Sequence, residues 1–120
     1  MRYIPSEKML RNVLLGVLQK THRDPDDAIK ELRRMLVYWR DGRIKSRKLL
    51  EGVNEILEGF GVEYIRSRDD DQYGAHGAYY INQGDTYDPT ILLDLDRNRV
   101  WATSWGDWVE SEERQGKKFD

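Results

Sequence analysis

Two aspartates in similar glycine-containing contexts are the residues of this sequence best placed to do chemistry together. Asp85 lies in the segment GDTY (84–87) and Asp107 in the segment GDW (106–108). A carboxylate pair could bind a metal ion or act in acid and base catalysis. The possible neighbours of such a pair are Thr86, Tyr87, Ser104 and His76. The competing interpretation is structural and is the one these positions favour, because Asp after Gly commonly bonds nearby backbone amides.

Basic residues crowd the connection between the second and third predicted helices. They are Arg40, Arg43, Lys45, Arg47 and Lys48. A helix-turn-helix would place such residues near DNA, but this connection is longer than the usual three to four residues of that motif. The chain has a net charge of -2, so we expect no tight nucleic-acid binding. A solvated basic corner, or one that pairs with an acidic partner, is the alternative.

The sequence offers few ligands for a metal or a cofactor. It has no Cys and two His residues, His22 and His76, which are too few for a site built on His and Cys. No Gly-rich phosphate loop or nucleophile elbow occurs. We therefore expect no metal and no cofactor. The absence of Cys and the shortness of the apolar runs predict a cytoplasmic protein with no signal peptide and no membrane segment.

Three amphipathic helices are predicted in the first half of the chain, where apolar residues recur at helical spacing. Their expected ranges are about 7–20, 25–40 and 46–60. Ser6 and Asp24 can cap the first two helices, and Gly42 and Gly61 can end the second and third. These helices would form a basic half, since residues 1 to 60 hold 13 Lys and Arg against 9 Asp and Glu.

From Val62 the apolar period changes to two, which predicts β-strands. The expected fold is α+β: three N-terminal helices, then an antiparallel meander of about four strands with the helices on one face. At 120 residues the chain is expected to form a single domain, with a helical half (1–60), a sheet half (62–110) and a polar tail (111–120). After Gly106, residues 107–110 predict a short capped helix.

The central hairpin of this sheet is predicted from two apolar strands, 91–96 and 99–105, joined by Arg97-Asn98. A two-residue turn there would pair Leu93 with Ala102 and Thr90 with Trp105. It would also bring Asp85 and Asp107 to the same open end of the hairpin.

The two faces of this hairpin differ in composition, because side chains alternate along a strand. One face is aliphatic and suits cover by the helices. The other carries Thr90, Leu92, Asp94, Trp101, Thr103 and Trp105. A face that mixes aromatic, hydroxyl and acidic groups is typical of a partly exposed recognition surface. The alternative is that the two Trp residues cover the sheet beneath the C-terminal tail.

The segment from Asn82 to Asp107 resembles a group of small, mostly uncharacterised proteins encoded by phages, prophages and plasmids. These proteins share a pattern of the form NxGDTYxxT followed by a hairpin and SWGD. The matching positions are Asn82, Gly84, Asp85, Thr86, Tyr87, Thr90, Ser104, Trp105, Gly106 and Asp107. The resemblance carries no catalytic assignment. It implies an accessory protein of a mobile element, a class that often acts by binding and blocking a host protein, including components of defence systems.

The function expected from these observations is therefore a non-catalytic protein-binding module that inhibits or modulates a host protein. Its candidate binding residues are Asp85, Thr86, Tyr87, Thr90, Leu92, Trp101, Trp105 and Asp107. The same face could instead close a homodimer. Two further alternatives are a small-ligand site or small enzyme that uses Asp85 and Asp107, and a weak nucleic-acid binder that uses the basic connection (residues 40–48).

Overall fold

A computed structural model describes residues 1–18, 24–62, 65–67, 79–81 and 90–114 and shows three helices followed by an antiparallel sheet. The predicted α+β class is confirmed. In chain order, the elements are α1 (Glu7–Leu18), α2 (Asp26–Arg40), α3 (Ser46–Glu58), β1 (Ile65–Ser67), β2 (Tyr79–Ile81), β3 (Thr90–Asp94), β4 (Arg99–Thr103) and α4 (Trp105–Arg114). The strands form a meander in the order β1-β2-β3-β4, so β4 is an edge strand.

The ends of the helices follow local signals in the sequence. The Ser6 hydroxyl accepts a hydrogen bond from the Met9 amide at 3.2 Å, which caps α1 as predicted. The Asp26 amide at the start of α2 donates to the Asp24 carboxylate at 3.0 Å. Gly42 and Gly61, with φ of +77° and +69°, follow the ends of α2 and α3 in the left-handed conformation that glycine adopts at low cost.

The main core lies between the first three helices and one face of the sheet. Its helical members recur at i, i+3 and i+4, as the sequence predicted, and the sheet adds Ile91, Leu93 and Val100. Trp39 is its largest fully buried side chain, and its indole N–H donates to the Ser46 hydroxyl at 3.0 Å. Burial of the indole is therefore achieved without leaving its polar group unpaired.

The hairpin of β3 and β4 does not have the predicted register. Leu93 pairs with Val100 rather than Ala102, and Thr90 pairs with Thr103 rather than Trp105. The reason is that residues 95–97 form a 3-10 turn, which is closed by a hydrogen bond from the Asn98 amide to the Leu95 carbonyl at 3.1 Å. The connection is thus four residues long, and the register shifts by two. An even shift leaves every side chain on its predicted face.

The second face of the sheet, for which the sequence left both a partly exposed surface and a covered one open, is buried at β3. Thr90, Leu92 and Asp94 are buried, with exposed fractions of 2%, 0% and 0%. The Asp94 carboxylate lies 3.8 Å from the Arg97 guanidinium, which places an opposite charge beside a buried one. Among the described residues, Leu92 and Trp108 are the buried apolar residues that lie outside the main core cluster. The central strand is therefore covered on both faces.

The chain leaves the sheet earlier than predicted, and α4 begins at Trp105 rather than at Asp107. Trp105 therefore belongs to a helix and not to the recognition face of the sheet. The helix also runs to Arg114, so the expected polar tail is helical over residues 111–114. None of the helices in the described parts of the chain has the length and apolar character needed to cross a membrane.

Candidate functional site

Most of the exposed large apolar side chains of the described residues gather at one place. Tyr3, Met9 and Trp101 are 61%, 50% and 36% exposed, and all three line a groove of about 440 Å³. The fourth, Met1, lies at the chain terminus. Single exposed apolar side chains are ordinary on protein surfaces, but a contiguous apolar patch typically marks a binding site.

The groove lies between the N-terminal segment (residues 3–6) and the edge strand β4. Met9 of α1 completes the first wall, and residues 99–102 form the second. Successive residues of a strand point to opposite faces of a sheet. A groove that contacts four consecutive residues of β4 must therefore run along the edge of the sheet, and not over one of its faces.

The N-terminal segment is attached to β4 by a single parallel bridge between Tyr3 and Arg99. The Tyr3 amide donates to the Asn98 carbonyl, and the Val100 amide donates to the Tyr3 carbonyl, both at 2.8 Å. A parallel ladder would continue at Pro5, which has no amide hydrogen to donate. The segment therefore separates from β4 after Tyr3, and the groove begins there.

A second contact holds the N-terminal segment against the helical layer. The Arg2 guanidinium donates to the Trp39 carbonyl at the C-terminal end of α2 and lies 4.8 Å from the centre of the Trp39 ring. A cation near the carboxyl end of a helix and over an aromatic face is favoured on both counts. Tyr3 is thus held in place by its own backbone hydrogen bonds to β4 and by the contact of the neighbouring Arg2 with Trp39.

One charged residue, Arg99, stands among the described residues that line the groove. Its guanidinium carbon lies 6.0 Å from the centre of the Trp101 ring, at the outer limit of a cation–π contact. The groove is therefore apolar along its walls and positive at one end.

Of the binding residues predicted from sequence, Trp101 is the one that the structure places in this groove. Thr90 and Leu92 are buried, so neither offers an exposed side chain to a partner. Their burial is a tertiary effect, because this face is covered at β3 while Trp101 of β4 on the same face is exposed. The Trp105 side chain lies outside what the structure describes, as do Asp85, Thr86, Tyr87, His22 and His76.

Asp107 has a structural position at the start of α4. The Ser104 hydroxyl accepts a hydrogen bond from the Asp107 amide at 3.0 Å and donates one to the Asp107 carboxylate at 2.8 Å. Ser104 is therefore the residue that caps this helix, and Asp107 sits three residues later, where an acid favours a helix N-terminus. The prediction that the capped helix begins at Asp107 is therefore wrong, because Ser104 is the capping residue and Asp107 lies in the first turn.

The basic connection between α2 and α3 is largely engaged with its own neighbours. The Arg40 guanidinium lies 3.1 Å from the Asp41 carboxylate, and the Arg47 guanidinium lies 3.3 Å from that of Glu51. Arg43 lies 4.9 Å from the centre of the Tyr38 ring. The remaining members of the predicted basic patch, Lys45 and Lys48, are exposed. The three arginines of the predicted basic patch thus have partners within the connection or in the adjoining helices.

Tyr3, Met9 and Arg99 are site residues that the sequence did not indicate. Met9 lies four residues before the buried Val13 and so has the spacing of a core residue of α1, yet it is half-exposed at the groove. The sequence does contain one sign of the N-terminal bridge, because Tyr3 and Ile4 form a short run of strand-favouring residues directly before Pro5.

Within the described residues, no cluster of three or more His, Cys, Asp or Glu side chains is arranged to hold a metal ion. Comparisons of the chain with protein-family models, with curated proteins and with solved structures gave no match.

Proposed function

We propose that this chain is a protein-binding module and that the groove between residues 3–6, Met9 and β4 is its partner-binding surface. The observation that carries the proposal is that Tyr3, Met9 and Trp101 stand exposed around a single groove. Its volume of about 440 Å³ falls within the range of roughly 300 to 1,000 Å³ that is usual for ligand-binding clefts.

The residue types around the groove support a protein partner. Trp and Tyr are enriched among the residues that dominate interface energies, and Met adapts its shape to an irregular partner surface. Arg, which is also enriched at interfaces, supplies the charged end of the groove through Arg99. This surface replaces the sheet face, with Leu92 and Trp105, as the proposed site of binding.

The resemblance of residues 82–107 to proteins of phages, prophages and plasmids extends this proposal to the partner. We propose that the partner is a protein of the host cell, such as a component of a defence system, and that binding inhibits or modulates it in the cytoplasm. The resemblance covers about the last third of the chain and supports the identity of the partner, whereas the groove, which also uses the N-terminal segment, supports protein binding.

The test compares three variants of the tagged chain expressed in a bacterial host. Trp101→Ala and Met9→Lys alter the groove, and Lys30→Ala alters an exposed residue of α2 away from it. A captured protein is then purified, and its dissociation constant is measured by calorimetry. Loss of an interface anchor costs about 2 kcal/mol, so we expect Trp101→Ala to weaken binding about 30-fold.

Met9→Lys should weaken binding by a similar amount, whereas Lys30→Ala should leave the affinity unchanged. Size-exclusion chromatography with light scattering on each protein shows whether the captured partner is a second copy of the chain. Equal affinities for the wild type and both groove variants would contradict the proposal, because the partner would then bind elsewhere.

A further inference from the structure

We infer that the groove receives an extended segment of the partner protein, which adds to the sheet beside β4. This inference rests on the proposed function and makes the partner class specific: a strand-forming segment with large apolar side chains and at least one acidic side chain. The argument depends on the backbone groups of β4, on Pro5 and on Arg99.

The backbone of β4 presents hydrogen-bonding groups toward the groove. The Val100 amide points away from β3, because it donates to Tyr3. In an antiparallel ladder the outward groups recur at every second residue, so the Val100 carbonyl and the amide and carbonyl of Ala102 point the same way. Both residues line the groove. The edge therefore offers one donor and two acceptors at the spacing of a neighbouring strand.

The N-terminal segment does not cover this part of the edge. It pairs with β4 at Tyr3 alone, and the position that would donate to the Val100 carbonyl is occupied by Pro5. Among the described residues, none supplies a strand beside Val100 and Ala102. An open edge next to an apolar groove is the arrangement that strand addition requires, since main-chain bonds give affinity and pockets for alternate side chains give selectivity.

The walls of the groove define the side chains of the segment. Residues i and i+2 of an extended chain share one face of the sheet, so we expect large apolar residues at i and i+2 on the face that carries Trp101, with the residue between them directed to the helical side, where Met9 lies. The positive charge of Arg99 at one end favours an acidic residue there and disfavours a basic one. An amphipathic helix would satisfy the apolar walls but could not bond the backbone of β4, because its own amides are already paired.

The test is selection of a random dodecapeptide library displayed on phage against the purified chain, with Trp101→Ala as the counter-selection target and Lys30→Ala as the control target. We expect enriched peptides to show apolar residues at i and i+2 with a neighbouring Asp or Glu, and to bind wild type and Lys30→Ala alike but Trp101→Ala at least about tenfold more weakly. Enrichment at i, i+3 and i+4, or no enrichment that depends on Trp101, would overturn the inference.

Single N-methylation along the best peptide then tests strand pairing without altering the protein. Methylation of the peptide nitrogen that faces the Val100 carbonyl replaces the hydrogen of that bond and should weaken binding at least about tenfold. Methylation of the next peptide nitrogen, which faces away from β4, should have a small effect. Equal tolerance at all positions would overturn strand addition. Suppose that N-methylation is tolerated at all positions, but the groove variants still bind the captured protein more weakly than the wild type. The extended segment would then be rejected, while the proposed function would remain supported.

Discussion

Leu92 and Leu93 are neighbours in β3 whose side chains point to opposite faces of the sheet, and both are fully buried. Leu93 belongs to the main core beneath the helices, whereas Leu92 lies on the other face, which the sequence predicts to be either partly exposed or covered. The loss of stability in Leu92→Ala and in Leu93→Ala therefore tests whether both faces of β3 are covered. Removal of a fully buried Leu side chain costs about 2 to 5 kcal/mol, through lost transfer energy and the cavity left behind.

This loss translates into a measurable thermal shift. Unfolding of 120 residues carries an entropy of about 250 cal/mol/K, at about 2.1 cal/mol/K per residue, so 1 kcal/mol corresponds to about 4 °C. Both Leu92→Ala and Leu93→Ala should lower the melting temperature by about 8 to 20 °C. Met9→Ala, at a half-exposed position, serves as the control and should lower it by less than about 4 °C.

Urea unfolding at 25 °C provides the free energies that accompany these thermal shifts. The reasoning would be refuted if Leu93→Ala were destabilising while Leu92→Ala changed stability by less than about 0.5 kcal/mol, the size of an ordinary surface substitution. The face that carries Leu92 would then be open to solvent at this position.

Three further outcomes are expected. Ser104→Ala should lower the free energy of unfolding by about 1 kcal/mol in urea, because the Asp107 amide loses its capping hydroxyl. Magnesium should not alter the melting temperature of the wild type; stabilisation by magnesium would favour a metal role for Asp107. Asn98→Val should cost about 1 to 2 kcal/mol, because Asn98 has φ of +61°, whereas Asn98→Gly should be tolerated, and equal effects would contradict the left-handed turn. Fluorescence anisotropy with duplex DNA should show no tight binding at 150 mM salt; affinity that depends on Lys45 and Lys48 and falls steeply with salt would contradict this.

The helical layer could be predicted because its information is local. The cap at Ser6, the acid at Asp24 and the glycines at 42 and 61 act within one helical turn, and the structure confirms each of them. The apolar stripes of α2 and α3 likewise specify which face is buried, since only one face of each helix is apolar enough to enter a core.

The hairpin shows where local inference is partial. The connection does contain Arg97-Asn98 as predicted, and Asn98 adopts a positive φ, but the 3-10 turn before it lengthens the connection and moves the partner of Leu93 from Ala102 to Val100. Turns of two and four residues both accept Asn at this position, so the strand sequences could not choose between them. The faces were nevertheless correct, because side-chain direction repeats every two residues.

The groove could not be predicted because its residues are distant in the chain. Tyr3 and Trp101 are brought together by the bridge between Tyr3 and β4, and Met9 reaches the same groove from the first turn of α1. Burial of Thr90 and Leu92 is a tertiary effect of the same kind. Periodicity indicates which side chains share a face, but cover of that face depends on packing.

The central claim, that a partner binds at the open edge of β4, is tested most directly by hydrogen exchange at the Ala102 amide. In the free chain this outward amide should exchange much faster than those of Trp101 and Thr103, which face β3. Addition of the partner isolated with the wild type should protect the Ala102 amide and shift the Trp101 indole resonance. A saturating partner that leaves both signals unchanged would contradict the claim, because it would then bind away from the groove.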